Sequence, residues 1–391
     1  MLLTWPLLAA QTPPGVRLRS IGGDPASGIA RAVVVEQGAL AHTATMYPED
    51  REAMLLGAGD AYAQAEHVLA NIDTALQAAG TTLDNLVRLH VYVAGPTVTS
   101  RVEAVLAGRF GGRDRKPAAT FVQTETPAGV LVMMDAVAAT GAAVEPGRVT
   151  RLTAPTLPLR HARAAHVAIQ PAGPFVSVSG RAARGEFDAA IRGTMAQLRA
   201  DLGSVGLGVE HVVQVKGFLD DMRRLPHVEE IVVESFESGT APPQVFTEWR
   251  QDAVPAEIEL IALSPAADAS RPRVEHFEPI LGRYSRIARV NAGHPVFLSG
   301  LYGRATDVAA QVDEMFAELQ EVLQASGSDM QHLVKATYYV SDAAADARIN
   351  AVRPTVFDPQ RPPAASKLSV RGTARDGKGS TFDMIAVTAA P

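Results

Sequence analysis

The chain of 391 residues is longer than a single hydrophobic core usually serves, so several domains are expected. Hydrophobic residues make up 47% and charged residues 20%, globular values that fit neither a disordered chain nor a membrane-embedded one. A net charge of −6 with no dense basic run argues against nucleic acid as a partner, and the absence of cysteine removes disulfides, thiolate catalysis and thiolate metal sites.

The chain opens on MLLTWPLLAA, apolar but without a basic start and too short to span a bilayer. Residues 1–14 read as a leader or disordered N-terminus. The small residues Ala9 and Ala10 leave export open against a cytoplasmic reading. The next signal is an apolar stripe at helical spacing, Ala65, Leu69, Ile72 and Leu76, followed by a run of β-formers, VRLHVYV from Val87. Ala139–Thr150 is a linker rich in small residues, Gly and Pro. The same order then returns, with the stripe Ile191, Met195, Leu198 and Leu202, the strand VVQVKGFL and a linker over Ser264–Arg273. It returns again with Val308, Val312, Phe316, Leu319 and Leu323, and the strand VKATYYV from Val334.

The three passes keep register. Gly80, Gly206 and Gly327 recur at steps of 126 and 121, as do Leu76, Leu202, Leu323 and Phe110, Phe236, Phe357. The carboxylates Asp135, Glu259 and Asp383 recur at steps of 124 and 124 near the end of each pass. This period is too long for a solenoid repeat and matches a small domain. The domains are placed at residues 15–145, 150–266 and 272–391. Each reads as α+β, a mixed sheet with two helices on one face, whose other face also carries apolar side chains and needs covering. Three such sheets meeting around an axis would cover it, making the chain a covalent pseudo-trimer that is monomeric in solution.

The third copy then shows a likeness. RYSRIARVNAGHPVFLSGLYG, DVAAQVDEMFAELQEVLQASG, LVKATYYVSD, INAVRPTVF, PPAASKLSV and FDMIAV follow one another as in the RidA/YjgF reactive-intermediate deaminases, also called endoribonuclease L-PSP. The second copy resembles the family through FVSVSGR, VVQVKGFLDDM and AEIELIAL. The first does so through its helix, LVRLHVYV and KPAATF, and diverges in its early strand. The resemblance implies chorismate-mutase-like domains with a pocket at each boundary between copies. It also implies hydrolysis of enamines and imines of 2-oxo acids, releasing ammonia without a cofactor or metal.

That chemistry needs a cation for the substrate carboxylate and an acid to activate water. The family's Arg, in a Pro-(small)-Arg-Ser turn, is replaced here by Ala119, Gln244 and Ala365. Arg181, Arg304 and Lys367 are the candidates for a displaced cation. The family's Ser-Gly turn survives as Ser179-Gly180 and Ser299-Gly300, with His42-Thr43 in the first copy. Its pocket Tyr is matched by Tyr284, with His161 in the second copy, and its pocket Asn by Asn350, with Glu103 and Glu229 elsewhere. Glu259, Asp135 and Asp383, lone acids inside apolar strands, are read as the catalytic carboxylates, since desolvation raises a carboxyl pKa toward the range of a general acid/base. On that reading Glu259→Gln abolishes hydrolysis at little cost in stability.

The chain thus reads as a hydrolase of a small polar C=N compound, or as a non-catalytic module binding a small metabolite in the same clefts. Neither reading involves nucleic acid or a membrane. Ribonuclease activity is a third reading, opposed by the acidic charge. Three-repeat ring amidohydrolases of the cyanuric acid hydrolase and barbiturase type rank below these, since their Ser-Lys pairs are not visible. The scattered histidines show no metal-site spacing.

Overall fold

The computed structural model describes residues 15–236, 239–251, 253–265 and 270–390. The proposed leader and residues 266–269 of the second linker lie outside the described residues. Copy 1 contributes β1 (Arg17–Ile21), β2 (Ala32–Gln37), β3 (Ala39–Thr43), α1 (Ala61–Ala78), β4 (Leu86–Val93), α2 (Pro96–Phe110), β5 (Ala118–Gln123) and β6 (Val132–Thr140). Copy 2 contributes β7 (Thr150–Leu152), β8 (Val167–Gln170), β9 (Phe175–Arg181), α3 (Phe187–Ser204), β10 (Val212–Leu219), α4 (Leu225–Glu234), β11 (Gln244–Glu248) and β12 (Ala256–Leu263). Copy 3 contributes β13 (Val274–Ile280), β14 (Tyr284–Val290), β15 (Pro295–Leu298), α5 (Val308–Ala325), β16 (Leu333–Val340), α6 (Ala343–Val356), β17 (Ala364–Ser369) and β18 (Ser380–Val387).

The helices form where the apolar stripes predict them. The starts of α1, α5 and α6 are fixed by side chains that accept orphan backbone N–H groups: Asp60 from Tyr62 and Ala63, Asp307 from Ala310, and Asp342 from Ala344 and Ala345. The first helix of each copy is followed by the recurring glycine. Gly80, Gly206 and Gly327 all have φ between +69° and +80°, the left-handed conformation that closes a helix and that a Cβ disfavours. One apolar core lies between the helices and the sheet of each copy.

The sheets are not closed within copies. Copy 1's sheet runs β5-β4-β6-β3-β8-β7, copy 2's runs β11-β10-β12-β9-β14-β13, and copy 3's runs β17-β16-β18-β15-β2-β1. In each, the two outer strands come from the next copy, and copy 3 takes its pair from copy 1. The exchanged strands pair antiparallel in equivalent fashion, as in Ala41↔Ile169, Ser177↔Ala288 and Val296↔Val34. Every copy is thereby stitched to both others by backbone hydrogen bonds.

The sheet face away from the helices looks onto a common axis. A bulge recurs at the start of each central strand, between Leu86 and Arg88, Val212 and Gln214, and Leu333 and Lys335. Val87, Val137, Phe175, Val290, Val334 and Ile385, from all three copies, form one apolar layer on the axis. Tyr92, Phe218 and Tyr339 with Met133 and Leu368 form another. With both faces covered, β4, β10 and β16 are buried along their whole lengths, which is why apolar residues stand on both of their faces.

Candidate active site between the copies

Asp135, Glu259 and Asp383 sit between the two apolar layers, each about 1% exposed. They stand opposite His90, Lys216 and Thr337 across the antiparallel ladder. Asp383 takes Arg88 Nη1 at 3.3 Å and His90 Nε2 at 2.8 Å from copy 1. Glu259 Oε1 is 2.8 Å from Lys335 Nζ of copy 3, and its Oε2 accepts from Ser366 Oγ at 2.7 Å. Asp135 stays within its own copy, with His90 Nδ1 at 3.0 Å and Tyr92 Oη donating at 2.7 Å. Burial alone would raise both aspartates. The charges and hydrogen bonds of Arg88 and His90 at Asp383, and of His90 with Lys216 and Tyr92 at Asp135, outweigh it and hold both carboxyls below their usual range. Desolvation pulls Lys216, which donates to Tyr339 Oη at 2.7 Å, down to about 8. These three acids are therefore partners in a dry ion-pair network and reach no cleft.

The clefts lie where the Ser-Gly turn of one copy meets the Pro-rich turn of the next. Ser179 Oγ donates to Ser285 O at 2.6 Å and accepts from Ala365 N at 2.7 Å. Ser299 repeats this with Ala30 O at 2.5 Å and Ala119 N at 2.8 Å. At the third boundary Thr45 N donates to Gln244 O at 3.1 Å. The pairings are copy 2 with 3, copy 3 with 1, and copy 1 with 2. The two serines are consumed as backbone staples and present no free hydroxyl to a ligand.

At the boundary between copies 2 and 3 a different acid stands beside the Ser-Gly turn. Glu257 precedes Glu259 by two residues on the same face of β12, and its side chain lies directly over Gly180, where an added Cβ would meet Oε1 at 2.1 Å. That close approach accounts for the glycine. Glu257 is half-buried, and its inner oxygen has no hydrogen-bond partner. Desolvation pushes its carboxyl up to about 7, with the charge of Glu259 adding to the rise and Ser366, Arg286 and Lys335 opposing it. The corresponding positions in the other copies are Met133 and Thr381. Arg286, 8% exposed, reaches Gly180 O with Nη1 at 3.4 Å, flanks the Tyr284 ring at 5.5 Å, and has an unpartnered Nε.

The other expected groups are committed elsewhere. Arg181 forms an ion pair with Asp201, its Nε 2.7 Å from Oδ2. Arg304 is exposed, and Lys367 is held by Asp346 and by Asn350 Oδ1 at 3.1 Å. Asn350 Oδ1 also takes Arg353 Nη2 at 2.8 Å, and its amide donates to Asp346 at 3.0 Å. His161 lines the cleft between copies 1 and 2, where its Nδ1 accepts from Arg163 N at 3.0 Å. Glu103, in the cleft between copies 3 and 1, pairs with Arg375 at 2.6 Å beside a cavity of about 440 Å³. Among the described residues no three His, Asp or Glu side chains are placed to hold a metal ion, and no helix is long and apolar enough to cross a membrane.

Sequence reasoning missed Glu257 and Arg286. The signal available was alternation: Glu257 and Glu259 in AEIELIAL share one face, as do Tyr284 and Arg286 in RYSRIARV.

The family model for endoribonuclease L-PSP matches the chain three times, over residues 26–140, 159–264 and 276–379. The chain belongs to this family, the RidA/YjgF proteins, as three tandem copies. A curated relative, Protein DfrA of Myxococcus xanthus, is 36% identical over 116 residues, covering 28% of this chain and 87% of its own. Among solved structures, NMB1025 of Neisseria meningitidis, a YjgF family member, is 27% identical and covers 30% of this chain and 97% of its own, with a TM-score of 0.24. YyfB of Yersinia pestis, of the Rid family, is 28% identical over 31% and 98%, with a TM-score of 0.29.

Proposed function

We propose that the chain hydrolyses small imines bearing a carboxylate, at the cleft between copies 2 and 3. One observation carries this reading. Glu257 is a half-buried carboxyl with a free oxygen, ionising near neutral pH, at a position where the other two copies carry Met133 and Thr381. Arg286 beside it supplies the cation missing at position 365. Water adds to the imine carbon as Glu257 takes one of its protons and passes it to nitrogen. The carbinolamine then re-forms C=O, its hydroxyl proton goes to nitrogen through Glu257, and ammonia leaves.

The loss of the family Arg at Ala119, Gln244 and Ala365 favours a second reading, in which the clefts bind a metabolite without turning it over. The two separate when an amino-acid oxidase generates 2-iminopropanoate and 2-iminobutanoate in place and their lifetimes are followed. The parent chain should shorten both lifetimes, Glu257→Gln should restore the uncatalysed values, and Arg286→Gln should raise KM more than it lowers kcat. No acceleration by the parent, or full activity in Glu257→Gln, would overturn the hydrolase reading.

A further inference from the structure

The cleft between copies 1 and 2 has the same construction as the proposed catalytic cleft and the opposite polarity. Among the described residues no cation stands free in it: Arg160 is bound by Glu49 at 2.6 Å and lies 4.1 Å over the Tyr47 ring. Asn71 and His166 also line it, with their N–H groups already donated to Tyr47 O, Glu49 O and Pro158 O. Gln244, at the position of the family's Arg, is 6% exposed, and its Oε1 has no partner. Thr45 Oγ1 is buried without a partner. Glu229 on α4 lines the same small cavity as these two, of about 40 Å³, and also an adjoining one of about 390 Å³. Desolvation pushes its carboxyl up to about 7, and the charge of Arg160 only partly offsets this. Two buried acceptors with nothing to accept are costly, and together with the half-buried Glu229 carboxylate they match the three N–H donors of an ammonium group. Met46 and Leu157 supply the apolar wall.

We propose that this cleft binds a small primary alkylammonium ion, its N–H groups taken by Glu229, Gln244 and Thr45 and its alkyl chain lying against Met46 and Leu157. A carboxylate ligand is disfavoured there, because Glu229 repels it and Arg160 is already neutralised. The site is separate from the imine cleft and does not depend on it.

The test is calorimetric titration of the full-length chain at low salt and about pH 8, above the Glu229 value of about 7, with n-butylammonium chloride and, in parallel, sodium butyrate. The ammonium ion should bind at one site per chain and butyrate should not bind there. Glu229→Gln should weaken ammonium binding about tenfold or more, the usual scale for losing a charge-assisted contact. Should that variant fail to fold, Gln244→Met carries the same expected loss. Glu257→Gln should leave ammonium binding unchanged while abolishing imine hydrolysis, so either proposal can fail alone. Absence of ammonium binding, butyrate binding of equal strength at this site, or undiminished binding in Glu229→Gln would overturn the inference.

Discussion

Glu257 and Glu259 lie two residues apart on one face of β12 and meet different partners, and their substitution should show it. Glu259 is locked to Lys335 and Ser366. Glu259→Gln leaves Lys335 buried without its counter-charge, and breaking such a pair costs about 3–5 kcal/mol. Urea denaturation should therefore show a large loss, where sequence alone suggested almost none. Glu257→Gln should behave in the opposite way. A carboxyl raised from its ordinary value to about 7 on folding favours the folded state at low pH, and that contribution is lost as pH rises through 7. The amide isostere does not titrate, so relative to the parent its melting temperature should be higher at pH 8 than it is at pH 5; an equal difference at both would contradict the assignment. Both acids were visible in the sequence as members of one alternating strand. Which of them faces a cleft depends on where Gly180 and Ser366 approach, and no local pattern encodes that.

At the scale of elements, the Ser-Gly turns work as joints between copies. Ser179→Ala removes the donor to Ser285 O and the acceptor for Ala365 N, both buried, and should cost about 1–3 kcal/mol by denaturant titration. Ser299→Ala breaks an equivalent joint and should cost a similar amount. If Ser179 instead touched substrate, KM would rise while stability held. The helices were legible because a 3.6-residue stripe such as Val312, Phe316, Leu319 and Leu323 has one physical solution. The covering of the second sheet face was legible from strands that are apolar on both sides. The strand exchange was not, because an edge strand such as β8 carries the same residues whichever copy it pairs with.

At the scale of the whole molecule, the network on the axis departs from three-fold symmetry. Glu259 pairs forward to Lys335 and Asp383 to Arg88, but the third link is missing: Gln214 donates to Thr43 O at 2.8 Å, and Asp135 turns to His90 and Tyr92. A homotrimer repeats each contact three times, whereas a fused chain can vary them one by one. The exchanged strands complete all three boundaries within the chain, so light scattering should give the mass of one 41.3 kDa chain. Residues 270–390 alone lack a partner for β14 on one side and for β15 on the other. They should self-associate or precipitate, and a stable monomer of that fragment would contradict the strand exchange.

The same exchange imposes an order on biosynthesis. A ribosome releases β1 and β2 well before β15, the partner of β2, which is made only after copies 1 and 2 have emerged. Through most of translation the N-terminal hairpin is an open edge that only the final copy can cover. A neighbouring nascent chain carries the same β15, so closure between two polypeptides competes with closure within one while chains are crowded on a polysome.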